Sequence, residues 1–311
     1  MNSSRFPGPL SGIVPPLVTP LTAPDSLHYQ GVSNLVEHVI AGGVAGVFLL
    51  GTCGEGPALP FKLQCEWIER ACSQVHDRVP VLVGVSSPSL EDSIGLAEHA
   101  ADCGAAAIVS TLPYYFPVPE DQQSGHLVRL ARRSPLPLVV YNMPACVHQS
   151  ISIRTLQRLA DEPNIAGFKD SAGDMDAFRQ YCDLAIERRP EWCRLIGPEH
   201  LLAQAIAAGG TGGVAGGANV CPSLLHSLYL AAVEEDVVAL NRLQKQADVL
   251  GRLYGQPETI GSVILGLKMA LGLLGICEHH TTELFAPPTN EQWKATESVL
   301  AQLATWGLAS V

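Results

Sequence analysis

The amino-acid sequence predicts an α/β protein, a (β/α)8 TIM barrel over residues 1–233 followed by a C-terminal helical domain over residues 234–311. Three observations carry that prediction. Eight short β-branched or apolar runs alternate with longer segments of helical period, the pattern of βα units on a parallel sheet. The alternation stops near residue 218 without an edge-type strand, which favours a closed barrel over an open doubly wound sheet. After about Glu234 only helical segments follow.

The strand-like runs are, in order, Gly12–Leu17, Val44–Leu50, Val81–Val85, Ala106–Ser110, Leu138–Tyr141, Ile165–Lys169, Arg194–Gly197 and Gly212–Gly216. Between them, Leu63–Val75, Leu90–Ala101, Asp121–Arg133 and Met175–Arg188 have the period of helices packed on a core. The late helices are Val237–Leu253, Ser262–Leu274 and Asn290–Leu303, separated by the breakers Gly255-Gln256-Pro257 and Ala286-Pro287-Pro288.

Composition narrows the class. Of 311 residues 47% are hydrophobic and 16% charged, which excludes a disordered chain. The net charge of −11, with no basic run of five or more, argues against nucleic acid and anionic membrane as partners. Met1–Pro7 lacks the charged leader and apolar stretch of a signal peptide. The longest apolar run, Val263–Ile276, carries Lys268 and is too short to span a bilayer. Nine scattered cysteines without a Cys-x-x-Cys pair read as reduced thiols of a cytoplasmic enzyme.

In a barrel the chemistry sits where strands end at their C-terminal side, so the residues at those positions are the candidates. Lys169, one of five lysines, ends the apolar run Ile165-Ala166-Gly167-Phe168. Desolvation there frees an amine to attack a carbonyl, giving a Schiff-base lysine; a lysine paired with Asp170 is the alternative. Tyr141 ends the neighbouring strand, either as a proton-relaying phenol or as a core tyrosine. The loop Gly51-Thr52-Cys53-Gly54-Glu55-Gly56 has the glycine spacing of an anion nest for a small carboxylate, or of a tight turn alone. Gly210-Thr211-Gly212-Gly213 lies near a dinucleotide pattern, but a strand-like run follows where a helix is needed. No histidine pair has metalloprotease spacing, and neither Cys53 nor Cys146 has a nearby histidine as activating base, so the expectation is no metal and no cysteine nucleophile.

Taken together, these residues resemble the dihydrodipicolinate synthase and N-acetylneuraminate lyase family of class I, pyruvate-dependent aldolases. The likeness runs from about Gly12 to Leu303. Its marks are Pro16 with Thr19-Pro20, Gly51-Thr52-Cys53-Gly54-Glu55, Pro113-Tyr114-Tyr115, Tyr141-Asn142-x-Pro144, Gly167-Phe168-Lys169-Asp170, and the late Gly266-x-Lys268 with Leu273-Leu274-Gly275. The resemblance implies a homotetramer of tight dimers working without metal or organic cofactor, through a covalent imine on Lys169. It also implies that Tyr141 is the proton-transfer phenol, and that Thr52 links it to Tyr115 of a second subunit. The pyruvate carboxylate would sit on Thr52 and Cys53, with Val214 near the keto acid and Gly197 and Glu199 lining the substrate.

Departures from the family pattern narrow the substrate. The synthase branch carries an arginine, two residues after Tyr-Asn-x-Pro, that holds the carboxylate of aspartate semialdehyde; here that position is Cys146. Pro144-Ala145 looks more like the lyase and sugar-acid aldolase branches, and Glu199 with His200 falls where sialic acid lyases hold substrate hydroxyls. Their serine on the strand-eight loop is Gly217 here, and the usual second Thr or Ser of the strand-two loop is Cys53. The expected activity is reversible cleavage of a 2-oxo-3-deoxy or 4-hydroxy-2-oxo acid to pyruvate and an aldehyde. Dihydrodipicolinate synthase activity, a dehydratase on the same imine, and a non-catalytic keto-acid-binding paralogue are the alternatives.

Overall fold

A computed structural model of the chain describes residues 6, 8–255 and 259–309. Gln256 and Pro257 of the anticipated breaker, and residues 1–5 and 7 of the N-terminal reading, lie outside the described residues. The barrel strands are β1 (Gly12–Ile13), β2 (Val47–Leu49), β3 (Val81–Gly84), β4 (Ala107–Ser110), β5 (Leu138–Asn142), β6 (Ile165–Asp170), β7 (Cys193–Ile196) and β8 (Gly212–Gly213). Every strand pairs in parallel with its sequence neighbour, and β8 returns to β1 with Gly12 opposite Gly212.

The ring closes between β1 and β2 at a Pro16–Phe48 bridge, where the Phe48 N–H donates to the Pro15 carbonyl and the Leu17 N–H to the Phe48 carbonyl. This explains why the first strand is shorter than the Gly12–Leu17 run. Pro15 and Pro16 lack N–H groups and can only accept, so regular pairing lapses while the chain still lines the barrel.

The barrel helices are α1 (Tyr29–Ala41), α2 (Phe61–Val75), α3 (Leu90–Asp102), α4 (Glu120–Arg133), the single turn α5 (Pro144–Val147), α6 (Ile153–Leu159), α7 (Met175–Arg188), α8 (Leu202–Ala207) and α9 (Pro222–Val233). Three begin at sequence-readable caps: Ser89, Ser152 and Asp174 accept N–H groups of the first turn. Then come α10 (Val237–Gly251), α11 (Ile260–Leu273) and α12 (Asn290–Ala304). Capping boxes at Thr259 and Thr289 start α11 and α12.

Alternation along the strands makes two apolar layers. Val14, Phe48, Leu82, Val109, Val139 and Leu195 fill the barrel, while Phe168, Phe178 and Tyr181 belong to the layer between strands and helices. At Gly167 (φ 149°) a Cβ would stand 2.2 Å from the Cys193 carbonyl oxygen, so only glycine lets β6 and β7 approach this closely. The same alternation turns Tyr141 and Lys169 inward at one end of the barrel.

Candidate active site

Tyr141 and Lys169 are direct register partners on β5 and β6. Lys169, 4% exposed, places its Nζ 3.9 Å from the centroid of the Tyr141 ring and 5.0 Å from that of Phe48. Aromatic faces stabilise an ammonium without a counter-carboxylate, and they leave the amine open toward the cavity. Asp170 takes no part in this. The pleat turns it away from the barrel interior, where its Oδ1 accepts from Asn142 Nδ2 at 2.6 Å.

The loop after β2 supplies the third group. Left-handed residues Leu50 (φ 56°) and Glu55 (φ 55°) bracket it, and the N–H groups of Gly54, Glu55 and Gly56 return to carbonyls of Gly51 and Thr52. Among the described residues no backbone carbonyl takes the N–H groups of Thr52 and Cys53. The Thr52 Oγ1 lies 3.4 Å from the Tyr141 hydroxyl. The Cys53 thiol is pushed up to about 11 by burial, with Lys169 pulling it back only in part. Cys146, which touches Thr52, is also raised by burial. Both stay protonated near neutrality and are poor nucleophiles.

Lys169, Tyr141, Thr52, Cys53, Val214, Gly197 and Glu199 all line one cavity of about 410 Å3. Tyr115 is not brought to it: this side chain is 74% exposed, edge-to-face against Phe116 at 4.9 Å. Tyr141 and Thr52 also face a second cavity, of about 700 Å3, with Cys146, Met143, Leu284 and Phe285 in its wall and, among the described residues, no arginine. Gly212 and Gly213 form β8 rather than opening a helix, so the dinucleotide pattern lacks its helix N-terminus. Among the described residues no group of three or more His, Cys, Asp and Glu side chains is placed to hold a metal ion, and no helix is long and apolar enough to cross a membrane.

Sequence reasoning missed the contribution of the C-terminal helices. Tyr254 donates its hydroxyl to Glu199 Oε1 at 2.6 Å, and the Gly217 N–H donates to Glu199 Oε2 at 2.8 Å. Burial and the adjacent carboxylate hold the Tyr254 phenol well above its ordinary value, so it remains a donor. No local signal marks Tyr254, which lies in the 3-10 turn Arg252–Tyr254 that follows α10. Lys268 was detectable in principle, as a lone cation within an apolar helix; it forms a fully buried ion pair with Glu55 at 2.5 Å.

The comparisons with known proteins agree with this geometry. The model of the dihydrodipicolinate synthetase family matches residues 9–303. An uncharacterised DapA-like lyase of Halobacterium salinarum is 35% identical over 86% of this chain and 85% of its own length. An Escherichia coli protein described as a probable 2-dehydro-3-deoxy-D-pentonate aldolase, YjhH, is 31% identical over 85% of this chain and 88% of its own. Among solved structures, dihydrodipicolinate synthase from Bacteroides thetaiotaomicron superposes with a TM-score of 0.91 at 39% identity, covering 96% of this chain and 100% of that one. YagE of Escherichia coli, solved in complex with pyruvate, gives a TM-score of 0.88 at 26% identity over 97% and 100%. With a closed barrel, a buried lysine beside a tyrosine at its mouth, and a family match over nearly the whole chain, this protein belongs to the dihydrodipicolinate synthetase family and is a carbon–carbon lyase.

Proposed function

We infer that the protein is a Schiff-base aldolase, reversibly cleaving a 2-oxo-3-deoxy or 4-hydroxy-2-oxo acid to pyruvate and an aldehyde. The observation that carries this is the buried Lys169 amine against the Tyr141 ring, in a cavity it shares with the open N–H groups of Thr52 and Cys53. The substrate carboxylate docks on those N–H groups and the Thr52 hydroxyl. Lys169 Nζ adds to the C2 carbonyl, and loss of water leaves a protonated imine. Tyr141 gives its proton to the departing hydroxyl in that dehydration, and so can take the proton of the C4 hydroxyl as the C3–C4 bond breaks. The electron pair moves into the imine, giving an enamine and a free aldehyde. Protonation at C3 and hydrolysis release pyruvate and regenerate the amine. The covalent imine supplies the electron sink, so this chemistry calls for no resident metal or organic cofactor.

The lyase direction is favoured over synthase chemistry by Cys146. A half-buried thiol replaces a charged fork, and among the described residues the cavity it lines has no arginine for a second carboxylate. Hydroxylated tails fit the first cavity, whose wall carries Ser171, Glu199, His200 and Tyr254. Exposure of the Tyr115 side chain supports the reading that it enters the site of a second copy; we take the working unit to be a homo-oligomer, in the cytoplasm. Dihydrodipicolinate synthase chemistry is the second reading, supported by the 39% identity to the Bacteroides thetaiotaomicron synthase.

The test is mass spectrometry after incubation with pyruvate and sodium borohydride. A reduced adduct on the Lys169 peptide, lost in Lys169→Ala, is expected; no adduct on folded protein would refute the reading and favour a non-catalytic binder. Comparable rates with aspartate semialdehyde and with hydroxylated aldehydes would favour the synthase.

A further inference from the structure

Glu55 holds a left-handed backbone (φ 55°) that a glycine adopts at lower cost, so the side chain is what the position requires. That carboxylate is buried. Its Oε1 accepts from Lys268 Nζ at 2.5 Å, and its Oε2 accepts from the N–H and the hydroxyl of Thr282, both at 2.8 Å. Lys268 also donates to the His280 carbonyl at 2.5 Å and has no solvent exposure. Two desolvated charges are tolerated here because both are paired and further bonded.

The pair joins two parts of the chain that lie 213 residues apart in sequence. On one side is the loop that presents Thr52 and Cys53, tied to the barrel by Thr19 Oγ1 donating to the Gly54 carbonyl at 2.6 Å and Gln64 Nε2 donating to the Gly56 carbonyl at 2.9 Å. On the other side is α11. Ile260, Ile264 and Lys268 recur every four residues and share one helix face. Ile260 and Ile264 line both cavities, and Lys268 reaches Glu55.

We propose that Glu55 and Lys268 are positioning residues for the 2-oxo acid: their buried pair fixes the distance between the carboxylate-binding loop and the α11 face that covers it. The proposal rests on the Schiff-base reading above. Packing alone would hold α11 as firmly with an apolar pair of the same volume. The short, directional bonds of the charged pair do something more, setting the register of the helix face against Thr52.

The test compares wild type, Lys268→Met, Glu55→Gln and the double variant Glu55→Gln/Lys268→Met. Lys268→Met strands a buried carboxylate and should lower the urea midpoint. The double variant leaves no unpaired charge and should return that midpoint to near wild type. Stability and positioning then separate. In the double variant the KM for pyruvate, read from the rate of borohydride trapping on Lys169, should stay raised at least about tenfold, while trapping at saturating pyruvate falls less than about threefold. Thr282→Val, which removes one hydroxyl bond to the carboxylate and no charge, should raise KM about threefold and lower the midpoint less than Lys268→Met does. Recovery of KM together with the midpoint in the double variant would overturn the proposal, leaving the pair a structural contact. Absence of any Lys169 adduct in wild type would overturn the Schiff-base reading and this proposal with it, whereas an adduct in wild type with unchanged KM in every variant would overturn the positioning role alone.

Discussion

Asp170→Asn is the perturbation whose size can be worked most directly from the structure. Asp170 is buried; its Oδ1 takes the Asn142 amide, and its Oδ2 takes no hydrogen bond. Desolvation therefore raises the carboxyl from 3.8 to about 6, with the Asn142 amide and then the nearby Ala172 N–H opposing, and the neighbouring charges of Asp174 and Lys169 making smaller contributions of opposite sign. Tyr181, whose phenol feels the Asp170 charge, is pushed up to about 12, chiefly by burial, and stays neutral. At roughly 1.4 kcal/mol per pH unit, ionised Asp170 is about 3 kcal/mol less favourable in the fold than in the unfolded chain. The sign follows from proton counting. Between 3.8 and about 6 the native state binds more protons than the unfolded state, so the stability this group contributes is complete below 3.8 and lost as pH rises through about 6. Asparagine keeps the shape and cannot ionise. Its NH2 would occupy the unpartnered Oδ2 position, a cost shared with the protonated acid and so independent of pH. Urea unfolding followed by tryptophan fluorescence, at about pH 4.5 and about pH 8, is the assay. The variant should gain about 2 kcal/mol on wild type between the two conditions, since comparison at each pH cancels every other titrating group. A difference below about 0.5 kcal/mol, or a gain at the acid end instead, would refute the argument that burial without a partner governs this carboxyl.

Two further outcomes test the site itself. Gly217→Ala places a Cβ 2.7 Å from Glu199 Oε1 and 2.7 Å from Leu250 Cδ2, which forces the carboxylate off its two donors. Cleavage of hydroxylated 2-oxo acids should fall about tenfold in kcat/KM, the loss of one charge-assisted hydrogen bond, while pyruvate trapping on Lys169 is retained; equal loss of both would place Glu199 in the imine chemistry instead. Tyr115→Phe keeps the exposed aromatic contact and deletes only the hydroxyl, so turnover should drop roughly a hundredfold, the scale of a lost proton-transfer group, with the thermal midpoint unchanged. Steady-state kinetics beside a melting curve decides it, and an unchanged turnover removes Tyr115 from the relay.

Much of this protein was legible before any coordinates. The alternation of short apolar runs and helical segments specifies βα units because periods of two and 3.6 residues are properties of the local chain. Lys169 stood out as a cation at the end of an apolar strand, and Thr52 and Cys53 as part of a closely spaced glycine loop. What sequence could not supply was distance. Whether Lys169 meets Asp170 or Tyr141 depends on which face of the pleat each occupies, and register across β5 and β6 settles it in favour of Tyr141. Glu55 and Lys268 lie 213 residues apart, and Tyr254 and Glu199 lie 55 apart. No periodicity links such pairs, because their partnership arises only when α10 and α11 pack over the barrel mouth. Strand and helix follow from neighbouring residues; the site follows from long-range packing, which brings together side chains whose local surroundings resemble those of many others.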